Sequence, residues 1–240
     1  MPRLPVYPAL PDPSSWGSLS QHARTLLGHH AVQVQDDAGA HDDWLSARFV
    51  GIMALGADVA VGHLRLTHNG HGIRQDLTLT ASDGVQTTWQ QICTQDRGHL
   101  TVELVRLDPA AAHGRGYGRR SFRNFLLWCE HAGVRQVELD AAKGVGGYYW
   151  ARCGFLPQAA AWTRLIEDVQ AKVQRPGLSS LQRLVAAAKR AGPIGLAMLA
   201  ASRHGKTLLL HTHWRGLLDL TNAEQLERAR AYAHPNDPRR

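Results

Sequence analysis

The sequence predicts an α/β fold, a mixed sheet flanked by helices with a helical insertion in the C-terminal half. Three stretches carry that prediction. Valine-, isoleucine- and leucine-rich runs over 46–55 and 58–67 lead into an Asn-Gly pair at 69–70, the signature of an antiparallel meander. "HLTVELVRLDP", "HGRGYGRR" and an apolar-periodic run then give strand, glycine loop and helix in succession. After Ala159 the pattern turns helical over two segments broken by Pro176 and Gly177.

Element by element, the proline-rich start reads as an extended lead-in. Ser18 can cap a helix over 18–30, with Leu19, Ala23, Leu26 and Leu27 on one face. "IRQDLTLT" is the returning strand of the hairpin, and 99–109 a further strand stopped by Pro109. Phe122, Phe125, Leu126 and Cys129 recur at helical spacing, and Gly133 stands where a left-handed C-cap would close that helix. "VRQVELD" is a strand, and "GYYWARC" a short helix ending at Gly154. Beyond it, "AWTRLIEDVQAKVQR" and "LSSLQRLVAAAKRAG" read as helices, "PIGLAMLAAS" as a short buried helix, and "KTLLLHTHW" over 206–214 as a strand. Thr221 and Glu224 form a capping box for a last helix. The organisation expected is a core over 1–157, a helical insertion over 158–205, and a C-terminal strand and helix over 206–240.

Composition narrows the function classes. No run of uninterrupted apolar residues reaches the length of a membrane span, and the prolines near the start break up any secretory signal. Cys93, Cys129 and Cys153 are odd in number and lack metal-ligand spacing, which predicts reduced core thiols, a cytoplasmic location and no structural metal. His68 with His71, and His211 with His213, are paired but have no third ligand at a recognisable spacing. The net charge of +7 is mostly arginine, without a long basic run or an aromatic-interleaved patch, so a nucleic-acid partner ranks low.

The loop from His113 to Gly118 carries three glycines between a strand and a helix. Such a loop converges backbone N–H groups at a helix N-terminus, where the dipole favours an anion. It is GxGxG, not the dinucleotide GxGxxG or the P-loop; a mobile surface turn is the plainer reading of the loop taken alone.

Together, "HGRGYG", the helix after it, and Gly154-Phe155 closing the short helix resemble the GNAT superfamily, the acyl-CoA-dependent N-acyltransferases. In that family a [QR]xxGx[GA] loop precedes a Gly-Phe pair by some thirty residues. The likeness covers about 99–157. His113 stands where glutamine or arginine is usual, and Trp150 where a tyrosine often protonates the leaving thiolate. The resemblance implies a GNAT-type sheet, acetyl-CoA as co-substrate, and an amine acceptor that is a small molecule, a peptide N-terminus or a protein lysine. It puts the pyrophosphate on the amides of His113, Gly114, Arg115, Gly116, Tyr117 and Gly118, with Arg119 beside them. It places the pantetheine arm along Val105 and Leu107.

Acyl transfer to an amine needs a base, carbonyl-oxygen donors and often an acid for the thiolate. Glu103, mid-strand, is the expected base, or else it lies on an edge strand or in a surface neighbourhood with Arg106. Asp140 is placed to bind the acceptor amine or to cap the next helix. Tyr149 is the expected acid with Tyr148 beside it, or both rings pack the core with Trp150. A non-catalytic acyl-CoA sensor on the same fold is the alternative function.

Overall fold

A computed structural model describes residues 59–68, 73–81, 86–96, 99–108, 117–141, 146–175 and 177–234. The helix expected over 18–30 and the strand over 46–55 lie outside them, as do residues 109–116 of the strand-to-helix loop.

The described chain is α/β. Four strands run antiparallel in sequence: β1 (Val59–His68), β2 (Ile73–Ala81), β3 (Gln86–Asp96) and β4 (His99–Asp108). Helix α1 (Tyr117–Ala132) crosses over to β5 (Val134–Ala141), which lies parallel to β4. Then come α2 (Gly146–Arg152), the two-residue β6 (Leu156–Pro157), helices α3 (Ala159–Val173), α4 (Gln182–Ala191), α5 (Gly195–Ala201) and α6 (Gly205–Leu209), strand β7 (Trp214–Asp219) and α7 (Ala223–Ala233). The strands join in one mixed sheet in the order β1-β2-β3-β4-β5-β7-β6.

Register sorts the sheet into two unlike faces, because side chains alternate with period two. Leu77, Trp89, Cys93, Val102, Leu104, Val137, Leu139, Ala141, Trp214 and Leu218 share the inner face and are buried. Helix α1 lies against them: Phe122, Phe125, Leu126 and Cys129, the periodic set in the sequence, are all buried, and Trp89 meets Phe125 at 4.7 Å. Gly133 ends the helix at φ 69°, a left-handed conformation that glycine adopts without penalty. Helix α7 packs beside α1, pinned by Arg230 Nε on Glu130 Oε1 at 2.9 Å.

Strand β3 has no apolar alternation. Its inward residues Thr87, Trp89, Gln91 and Cys93 are mixed, and Gln91 and its β2 partner Gln75 are fully buried. They are tolerated there because they satisfy each other: Gln91 Nε2 donates to Gln75 Oε1, and Trp89 Nε1 donates to Gln91 Oε1 at 2.9 Å.

Two expectations need correction. The strand over 206–214 starts only at Trp214; 205–209 is helix α6, with a turn after it in which His211 has φ 62°. Lys172 of α3 explains the choice, its Nζ donating to the carbonyls of Leu208 and Leu210 at 3.0 and 2.6 Å, groups that a helix end leaves open. The cap of α7 is Asn222, whose Oδ1 accepts from the backbone N–H groups of Glu224 and Gln225 at 3.1 Å, while Thr221 turns back to Asp219 at 2.6 Å. By length and composition, Ser179–Ala201 is apolar enough to cross a membrane; in the fold it is a 3₁₀ turn at Ser179–Leu181, α4, a second 3₁₀ turn at Gly192–Ile194 and α5, with Val185, Ala188, Leu196 and Leu199 buried.

Helices α3 to α6 lie between the antiparallel neighbours β6 and β7 in sequence and form a layer against that end of the sheet. Helix α2 leans on α5 and α6 so closely that a Cβ at Gly147 would lie 2.2 Å from Thr212 Oγ1.

All three cysteines are free and buried. Burial pushes the Cys93 thiol up to about 12, and those of Cys129 and Cys153 well above the ordinary range. Since the thiolate is the nucleophile, iodoacetamide at pH 8 is expected to leave the native protein unlabelled. Three alkylations by mass should follow on unfolding in guanidinium; rapid labelling of the native chain contradicts this packing.

Candidate active site at the parting of two parallel strands

Strands β4 and β5 pair from Leu100 with Val134 to Leu104 with Leu139, and there the pairing stops. Both strands go on, β4 to Asp108 and β5 to Ala141. Pairing of β4 with β3 shifts register at the same level, since Gln91 faces Leu104 while Gln90 faces Arg106, leaving Val105 as a bulged residue. The backbone of Val105 to Asp108 is therefore without a β5 partner along that edge. In open α/β sheets the carboxyl ends of parting strands make a ligand crevice.

Helix α1 begins just beyond β4, at Tyr117 and Gly118, so the last two residues of the glycine loop open the helix; His113, Gly114, Arg115 and Gly116 lie outside the described residues. The first turn holds no acidic residue, and exposed Arg119 and Arg120 stand there instead. Cations at the positive end of a helix dipole oppose it, an arrangement that a bound anion reverses. Arg119 lies 5.0 Å over the Tyr232 ring of α7, and Arg152 of α2 is 5.8 Å from the same ring.

Tyr149 joins α2 to this end of α1, its hydroxyl donating to the Gly118 carbonyl at 2.6 Å. Burial first, and then its neighbours Cys153 and Tyr232, push its pKa well above the ordinary range, so the phenol keeps its proton. A side chain at Gly118 would meet the Tyr149 ring at 3.1 Å. Trp150 is buried against Phe155 at 5.4 Å and Phe122 at 6.4 Å; it is a core residue, while Tyr148 is half-buried. Gly154 has φ 94°, and a Cβ there would lie 3.2 Å from the Ala229 backbone, which is the physical reason for glycine in the Gly-Phe pair.

Glu103 is exposed on a central strand, so the edge-strand alternative is excluded. It lies on the outer face in register with Glu138 of β5. Arg215 of β7 donates to Glu138 at 2.8 Å; that bond chiefly, with the charges of Glu138, Glu103 and Asp140, raises the guanidinium pKa. Asp140 is the first β5 residue past the parting, paired with Arg215 inside the strand rather than capping a helix. Its Oδ1 is 3.5 Å from His213 Nε2.

The expected groups thus divide. Glu103 and Asp140 share the outer face, whereas Tyr149 and Arg119 stand among the helices covering the inner face. Residue spacing could not show His213 beside Asp140 or Arg215 on Glu138, which meet only through the β5–β7 register. Among the described residues, no three His, Cys, Asp or Glu side chains cluster as metal ligands. No known family model matches the chain, and no curated protein does.

Proposed function

We propose that the protein is a GNAT-type N-acyltransferase, moving an acetyl group from acetyl-CoA to an amine. The observation that carries this reading is the conjunction at one end of β4: a parting from β5, a glycine loop, and a helix N-terminus bearing Arg119 and Arg120 without an acid. The loop amides and arginines suit a pyrophosphate. The free edge of Val105 to Leu107 suits an amide-bearing arm that pairs as a strand would. In this reading the carboxylates of Glu103 and Asp140, on the outer face beside the parting, attract and hold the acceptor's ammonium. Protonation of the leaving thiolate by Tyr149 requires its bond to Gly118 to open. The setting is the cytoplasm, where acyl-CoA and reduced thiols coexist.

The test is release of free CoA thiol from acetyl-CoA by the full chain, against small amines, peptides with free N-termini and lysine peptides. Release above the blank with any acceptor is expected. A second reading, an acyl-CoA sensor without turnover, is favoured by Trp150 in the core and by the hydroxyl of Tyr149 engaged with Gly118. CoA binding with no release for any acceptor selects it.

A further inference from the structure

His213 precedes β7 in a pair of histidines for which neither spacing nor the described side chains offer a third metal ligand. Its Nε2 lies 3.5 Å from Asp140 Oδ1, and Asp140 is where β5 parts from β4. Both side chains are more than half exposed, open to an incoming acceptor. We propose that His213 is the general base of the transfer, with Asp140 as its positioning residue and Glu103 as the anchor of the acceptor ammonium. The proposal rests on the N-acyltransferase reading above.

The chemistry favours imidazole over carboxylate. A base must be free at working pH and hold the proton it takes, and imidazole, with an ordinary value of about 6.5, does so near neutrality better than a carboxyl near 4.3. The ammonium N–H bond breaks and its proton passes to neutral His213; the amine lone pair forms a bond to the thioester carbonyl carbon. The C–S bond breaks, its electrons leave on sulfur, and a proton from Tyr149 or water neutralises the thiolate. The amide nitrogen sheds its second proton to solvent. Asp140 steadies the imidazolium as it forms. At 3.5 Å the pair is longer than a hydrogen bond, as catalytic contacts often are before substrate binds.

Among the described residues, Asp140 is the charged group within 4 Å of His213, and the other charged groups on the neighbouring elements are engaged elsewhere. Asp140 and Glu138 are on β5; Arg215, two residues along the chain, is held by Glu138 and opposes the carboxylates; Lys172 of α3 is committed to the Leu208 and Leu210 carbonyls. His211 is exposed in the adjoining turn.

The experiment is the pH profile of kcat/KM with acetyl-CoA and the best acceptor of the amine panel. The unmodified protein should lose activity on the acid side, where a general base is protonated. His213→Gln should remove that acid limb and lower turnover by roughly 10²–10⁴-fold, and added imidazole should restore part of the activity of His213→Gly. Asp140→Asn should lower kcat while leaving the KM for acetyl-CoA unchanged, because the imidazolium that forms loses its partner. Glu103→Gln should raise KM and leave the limb in place. The proposal is overturned if His213→Gln keeps both limb and rate, or if Glu103→Gln abolishes the limb, which makes Glu103 the base. No thiol release by the unmodified chain with any amine, with CoA still bound, overturns this proposal and the acyltransferase reading together; loss of the His213 effects alone overturns only the former.

Discussion

Phe122→Ala is expected to destabilise the protein by about 3–5 kcal/mol, lowering Tm by roughly 6–20 °C for a chain of this size. The ring is fully buried and lies 6.4 Å from Trp150, 6.4 Å from Phe155 and 6.1 Å from Tyr232. It therefore ties α1 to α2, to the Gly-Phe segment and to α7 at once. Truncation loses the transfer of the ring from water and leaves a cavity whose walls belong to four separate elements, so collapse onto it is hindered. Guanidinium unfolding followed by circular dichroism measures the change, and a loss under about 1 kcal/mol would mean that the aromatic cluster is not packed this way. Phe122→Leu should lie between the two, because it keeps most of the apolar volume.

Much of this core was legible beforehand. Phe122, Phe125, Leu126 and Cys129 repeat every three to four residues, and helical periodicity needs nothing outside the helix to state it. The same holds for Gly133, whose left-handed backbone marks the helix end. Strand β3 was not legible because its inward residues include Gln91, and a buried glutamine makes sense only once Gln75 is seen across from it. The leucines at 208–210 misled for a related reason: a short apolar run suits a strand or a buried helix equally, and Lys172, far away in sequence, decided it. At the site, the glycine loop and Glu103 could be picked out singly. That Asp140 has His213 as a neighbour depends on the register of β5 against β7, which no local pattern encodes.

Acetyl-CoA at one hundred times its dissociation constant is expected to stabilise the fold by about 2.7 kcal/mol through mass action. The motive is the anion-seeking end of α1, with glycines leading into it and Arg119 and Arg120 in its first turn. Gly116→Val should erase the shift, since a branched side chain in the middle of the loop would obstruct the approach of backbone amides to a pyrophosphate. Arg119→Ala should weaken it, and added salt should do the same, as charge-assisted contacts near the surface are screened. Differential scanning fluorimetry across a CoA titration reads all of these. A Gly116→Val protein that folds and shifts like the unmodified one would mean that the loop does not bind the nucleotide, and melts unmoved by millimolar CoA would remove the premise altogether.

The close seating of Gly147 against Thr212 and Leu209, and the Lys172 clasp on the Leu208 and Leu210 carbonyls, bear on how this chain can be rebuilt. Residues 159–213 look dispensable on a topology diagram, because β6 and β7 are antiparallel neighbours that a tight turn could connect. Trimmed in that way, the protein would retain its whole sheet and helices α1 and α7. It would lose the wall on which α2 rests and His213 with it, and Tyr149 would no longer be held at the head of α1. A miniaturised version therefore needs a substitute buttress under α2, and grafts onto this scaffold are better placed at the exposed positions of α4 than in the turn that ends at Thr212.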